Sequence, residues 1–408
     1  MQSAVKQYYN INKIFMSRIG GWPTQSIFMK ILLPTVILSF VFSIGFLEFV
    51  RLLETWHTIM QDCECLIIVL IAIGGHVKLF GIVLNNKNIE RLLSLIDYHW
   101  QIFTHSLEKQ IMHDYAIVGK KMTISYAVSL YTLMSLYMLI PIIPKLLDLV
   151  KPLNKSRPNE YLFDVDYSFD RDEYYYVSLL HSYLTTVMTI SIMVIIDTIY
   201  IVFAQHVCSL FAAIGRRLEN LGINSKESDW LIENIEMTRE RRGSMDCILL
   251  NKDDEVYREL IVILQKHQLS IEYVSILDST FALYSLILLA LNIIVTSLLG
   301  LQILSLMDHK KQMIRFASMC IGAFMHLFVL SYPGQKIIDH STDVFHKAYN
   351  MQWYKMSRRS IQLLSILLYR CYVPCTLTAG KVYVLSMANY ASMVQTSISY
   401  FTAFLSLS

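Results

Sequence analysis

YVSLLHSYLTTVMTISIMVIIDTIYIVFA, residues 176–204, holds one formally charged side chain, Asp197, in an otherwise apolar and hydroxyl-bearing run. A helix needs about 20 mainly apolar residues to cross a bilayer's hydrocarbon core. The run shows no strict alternation of polar and apolar positions, so it is not a barrel strand. It reads as a transmembrane helix with an acid inside it. Such an acid has three open roles: partner of a cation such as Lys78, resident of the inner interface, or lining of a lateral ion path.

Working outward, the same test finds six further runs: 28–50, 66–84, 122–143, 279–306, 315–333 and about 383–407. Hydrophobic residues make up 54% of the 408 positions and charged ones 16%, against about 25% in ordinary soluble domains. The expected fold is an all-α membrane protein of seven transmembrane helices. No cleavable signal precedes the first run, which is expected to serve as the insertion signal. Pro141 and Pro144 are expected to bend or end the third span, and Lys78 to snorkel towards the inner face.

Charge placement sets the expected orientation. Connections on the N-terminal side carry 25 Lys and Arg, those on the other side carry 9, and Lys78 lies within the second span. By the positive-inside rule the N-terminus is inside and the C-terminus outside. The N-x-S/T sequon at Asn154 then falls outside, as glycosylation requires. Seven-span G-protein-coupled receptors run the other way. Such a receptor, without its own pore, is the alternative reading.

The resulting organisation is a cytoplasmic segment at 1–27 and spans one to four at 28–204, with an extracellular loop at 144–175. Cytoplasmic helical extensions around a mobile loop follow at 205–278, then spans five and six at 279–333. An anchor segment at 334–382 leads to the last span at 383–408. The extensions carry apolar faces at helical spacing, including Val256, Leu260, Ile263 and Leu264, and later Ile361, Leu364 and Leu367. Such faces require burial, so a cytoplasmic anchor domain or an assembly interface is expected.

Nothing points to an enzyme. HExxH, GxSxG and P-loop motifs are missing from the sequence, and the cysteines lack zinc-site spacing. No cofactor and no metal are expected, and a net charge of +3 gives no case for nucleic acid.

In the last span, Ser392, Thr396, Ser399, Ala403 and Ser406 follow steps of four, three, four and three and share one stripe. Small residues on one face let another helix approach closely. The same stripe suits the wall of a water-filled pore, with a ring of Ala403 or Leu407 as a dewetting gate. The residues alone leave both readings open.

Three stretches resemble the insect odorant receptors: RIGGWPTQS (18–26), the Gly334-Gln335 pair with Trp353-Tyr354 downstream, and the Thr378–Lys381 entry with the terminal Ser399–Thr402. The resemblance implies a subunit of a tetrameric, ligand-gated, nonselective cation channel in the plasma membrane. There a tuning subunit assembles with a shared co-receptor, through the region of Gln335, Trp353 and Tyr354. It implies that the last helix lines the pore, with gate positions at Ala403 and Leu407. Alanine there is smaller than the usual bulky aliphatic. The chain lacks the co-receptor's longer connection after span four, so it resembles a tuning subunit. The family's ligand pocket lies in the outer halves of spans two to six. For a small volatile organic ligand the expected residues are Ile73, His76, Tyr131, Met134, Tyr137, Met138, His181, Thr185, Met188, Met319 and Ala323. Burial at roughly 25 cal/mol per Å² supplies most of the affinity for such a ligand.

Overall fold

The computed structural model describes residues 4–54, 59–151, 157–163, 165, 167, 172–236 and 242–407. Two short helices, α1 (Ala4–Tyr8) and α2 (Asn10–Arg18), precede α3 (Ile27–Glu54), α4 (Ile59–Leu84), α5 (Asn86–Ile102) and α6 (Ser106–Leu139). A 3₁₀ turn at Ile140–Ile142 leads into α7 (Ile143–Val150), so the prolines at 141 and 144 do end the third span. Next come α8 (Tyr175–Glu236), α9 (Arg242–Ser305), α10 (Lys310–Tyr349) and α11 (Arg358–Cys371). A small hairpin, β1 (Thr378–Ala379) with β2 (Tyr383–Val384), leads to α12 (Met387–Leu407). Among the described residues six helices are long and apolar enough to cross a membrane. At 21 residues, α12 also reaches the roughly 30 Å that a bilayer core demands.

The helices sort by how much of each is covered. Every residue of α8 from Val194 to Phe211 is buried, which makes it the central post. On α6, Met112, Ala116, Gly119, Thr123, Tyr126 and Leu130 form one stripe at helical spacing, and α6 packs along α8. On α3 only Pro34, Val41, Ile44, Glu48 and Leu52 are buried, while Phe28, Phe42, Phe46 and Phe49 stay exposed. An apolar helix covered on one stripe presents the remainder to lipid.

Helices α8, α9 and α10 outrun any bilayer. Their far ends, with α5 and α11, form a stalk whose core includes Ile96, Phe103, Leu218, Leu260, Ile263, Leu364 and Leu367. A charge network runs through it. Glu108 accepts from Lys266 at 2.7 Å and from Arg217 at 2.9 Å, and Arg217 also reaches Glu259 at 2.7 Å. The helix read as ending at Pro333 instead continues to Tyr349 through that proline, and the Tyr200 hydroxyl donates to the nearby Leu330 carbonyl at 3.2 Å. The connection expected to be mobile is helical to Glu236 and again from Arg242; 237–241 lie outside the described residues.

The hairpin seats α12. Gly380 and Lys381 both have positive φ, 63° and 60°, which fits a tight hairpin turn. Asp278 of α9 accepts from the Thr378 N–H at 2.6 Å and its hydroxyl at 2.8 Å. A Cβ on Gly334 would stand 2.1 Å from the Leu385 carbonyl oxygen, so only glycine admits the chain leaving β2 there. Next to it, Gln335 accepts from the Met387 N–H at 3.1 Å and caps α12. The Gly334-Gln335 pair is thus a docking joint within the chain. Replacing Gly334 with alanine should lower the stability of the full chain by about 2 kcal/mol through overpacking. Thermal melts against a Gly322→Ala control, whose Cβ meets nothing within 4 Å, would check this.

Candidate ligand cavity and pore helix

The cavity follows from how α4, α6, α8, α9 and α10 meet above a buried charge. Lys78 on α4 is fully buried and ion-paired with Asp197 on α8. It does not snorkel, because the carboxylate in the bundle centre holds it. The Tyr126 hydroxyl of α6 donates to the second Asp197 oxygen at 2.7 Å, and His326 Nε2 of α10 stands 3.9 Å from that oxygen.

Against this group opens a cavity of about 210 Å³, smaller than the roughly 300–1,000 Å³ typical of drug-sized ligands. Ile44 of α3, Ile68 and Ala72 of α4, Leu130 of α6, Thr186 and Ile190 of α8, and Leu288 of α9 contribute to its wall. Phe163 reaches in from the segment after α7 and packs with Tyr137, Ile44 and Ile68, closing that end. The threonine hydroxyls turn back to their own helix: Thr186 donates to the Ser182 carbonyl and Thr189 to the Thr185 carbonyl, each at 2.8 Å. The lining is therefore apolar even where residue types suggest otherwise.

Of the residues expected from sequence, Met134, Tyr137, Thr185, Met319 and Ala323 line the cavity. Ile73 and His76 do not. They share an outward groove between α3 and α4 with Phe42 and Phe80, and His76 Nδ1 lies 2.8 Å from the Ala72 carbonyl of its own helix. The face of α4 that carries Ile68 and Ala72 turns inward instead. Tyr131 meets Ser191 at 3.1 Å beside an open groove, and the Met138 carbonyl accepts from Tyr183. His181 bridges Ser43 and Tyr167 at 2.8 and 2.9 Å, and Met188 packs on the main core. Asn292, His326 and Tyr126 also line the cavity; in the sequence the signal for them is a polar residue within an apolar span.

On α12, Met393 and Ser397 are the buried positions among the described side chains, and Ser397 meets Thr296 of α9 hydroxyl to hydroxyl at 2.9 Å. Ser392, Ser399 and Ala403 are exposed and Thr396 half-buried, so the stripe is not the face α12 packs against its own bundle. Ser406 and Leu407 belong to the last turn, where side chains lie outside the description. Trp353 and Tyr354 are exposed in a 3₁₀ turn, and Asn154 lies outside the described residues.

A family model for the seven-transmembrane odorant receptors matches residues 58–398. The chain belongs to that odorant receptor family. It is similar to Odorant receptor 22a of Drosophila melanogaster, 24% identical over 237 residues, 57% of this chain and 52% of that protein. It is also similar to Odorant receptor 10 of Aedes albopictus, 22% identical over 42% of this chain and 46% of that one. The match thus spans about half the length of these relatives. In fold it resembles the insect olfactory receptor OR5 from Machilis hrabei, solved in complex with eugenol: TM-score 0.72, 13% identity and 99% of each chain covered. This odorant receptor is a multi-pass, all-α membrane protein.

Replacing Asp197 alone by leucine should strand the buried Lys78 charge and cost about 3–5 kcal/mol. The double variant with Lys78→Met should recover most of that loss. Melting temperatures of the four chains of that cycle are the measurement; equal losses in single and double variants would contradict the role given to the pair.

Proposed function

We propose that this odorant receptor is the tuning subunit of a heteromeric, ligand-gated, nonselective cation channel. It takes a small volatile organic ligand into the cavity and opens a central pore lined by α12. The observation that carries the reading is the cavity: partly enclosed, apolar, and walled by all six long spans. Membership of the family and the eugenol-bound structural neighbour support it.

In this reading Ser392, Thr396, Ser399, Ala403, Ser406 and Leu407 face the pore. A stripe left exposed by its own bundle supports that role. Gln335, Trp353 and Tyr354 lie at the assembly region with a co-receptor subunit. Gln335 would act there by fixing the angle at which α12 leaves the joint. The charge asymmetry supports an internal N-terminus and an external C-terminus, which puts Asn154 on the side where glycosylation occurs; membership of the family supports residence in the plasma membrane. Receptor and channel work account for the site without chemistry on the ligand.

The test is co-expression with a co-receptor and recording of odorant-evoked current in excised patches without guanine nucleotide. Current should persist there, whereas dependence on nucleotide would favour a G-protein-coupled receptor. Gly322 lines the cavity and a Cβ there meets nothing within 4 Å, so Gly322→Leu should take up cavity space. That variant should reach the surface normally and lose most of the odorant response.

A further inference from the structure

The polar groups on the cavity wall are almost all engaged by the protein itself. The threonines bond to their own helix, Ser318 donates to the Arg315 carbonyl at 2.7 Å, and Tyr126 donates to Asp197. The Tyr137 hydroxyl reaches the Leu162 carbonyl at 3.3 Å. Two lining residues differ. Asn292 Oδ1 and His326 Nε2 are buried polar atoms without a hydrogen-bond partner among the described residues, on side chains 7% and 4% exposed. Leaving such atoms unsatisfied costs about 1–3 kcal/mol each.

The chemistry of each orphan is fixed by its other bonds. Asn292 Nδ2 donates to the Ala323 carbonyl at 3.1 Å, and a carbonyl only accepts, so the amide cannot be flipped. Its oxygen is therefore the free acceptor. The same Nδ2 lies 3.4 Å from His326 Nδ1, which must accept; the ring proton then sits on Nε2. His326 Nε2–H is thus a donor. Asp197 is the nearby carboxylate, but at 3.9 Å it is beyond hydrogen-bond reach. Lys78 and the Tyr126 hydroxyl already occupy that carboxylate. One donor and one acceptor thus lack hydrogen-bond partners among the described residues, on two cavity-lining residues of adjacent helices, α9 and α10.

We propose that Asn292 and His326 form a hydroxyl-recognition subsite, and that the ligand is an apolar molecule carrying one alcohol group. The hydroxyl donates to Asn292 Oδ1 and accepts from His326 Nε2–H. A ketone or ester satisfies the histidine but leaves the asparagine oxygen buried and unpaired. A hydrocarbon satisfies neither. This proposal rests on the reading of the cavity as the ligand site.

The test compares 1-octanol, 2-octanone and n-nonane, which share one heavy-atom count and differ in the polar group. Binding is measured directly on the purified full-length chain in lipid nanodiscs, by displacement of a fluorescent apolar probe. 1-Octanol should bind at least about tenfold tighter than n-nonane, with 2-octanone between them. Asn292→Leu should abolish the preference for the alcohol while keeping or improving n-nonane affinity, which also certifies that the variant is folded. Equal binding of the three compounds would overturn the subsite and leave the cavity reading standing, as when a resident water satisfies both atoms. Failure of all three to bind would overturn the cavity reading and the subsite with it.

Discussion

The bundle depends on one buried ion pair. Lys78 and Asp197 sit where water does not reach, and a lone charge there costs several kcal/mol. Their pairing therefore sets the register of α4 against α8. Tyr126 brings α6 to the same carboxylate, and His326 brings α10 to within 3.9 Å of it. Four helices meet at one level, and the cavity opens directly against it. Both Tyr126 and His326 belong to the cavity wall, so the charge group and the cavity share side chains.

The two ends of the molecule bury their polar groups in different ways. In the span region, hydroxyls return to backbone carbonyls of the preceding turn, which leaves lipid and cavity faces apolar. In the stalk, charges pair across helices: Glu108 of α6, Arg217 of α8, and Glu259 and Lys266 of α9. Arg217 holds the Glu259 carboxyl below its ordinary range, while burial pushes His99 down to about 4 and keeps it neutral against His206 at 3.0 Å. Near neutral pH, Glu259 is therefore ionised and His99 uncharged.

The spans, the amphipathic α11 and the end of the third span at its prolines were legible because each follows from local pattern. The stripe of α12 was legible as a stripe, but its direction was not. Periodicity gives a face, and only the neighbours say where it points; here Met393 and Ser397 take the packed side. The same limit governed the cavity. Ala72 sits at the edge between the cavity and the outer groove; Ile73 lies about 100° round the helix from it and His76 about 40° in the same sense, which puts both on the outer side. Asn292, within LILLALNIIVTSLL, reads as a packing residue until the Ala323 carbonyl fixes its amide. The Gly334-Gln335 pair carried a resemblance in the sequence. Its physical reason is the Leu385 carbonyl and the first N–H of α12, both brought in from about fifty residues away.

Helix α9 joins the two parts that the sequence presents as separate. Leu288, Leu291, Asn292 and Val295 give it a cavity face. One step round the same helix, Thr296 and Ser297 hold Ser397 of α12, the second of them reaching its carbonyl at 3.2 Å. The Thr296 hydroxyl also lies 2.8 Å from the Asn292 carbonyl, within the turn that joins the faces. An intact helical turn moves as a unit, so a displacement of α9 at Asn292 carries the seat of α12 with it. At its other end Asp278 grips the hairpin that precedes α12. The last helix is thus held at its entry and near its middle by one of the helices that wall the cavity, so α9 is the element that touches both the cavity and the seat of α12.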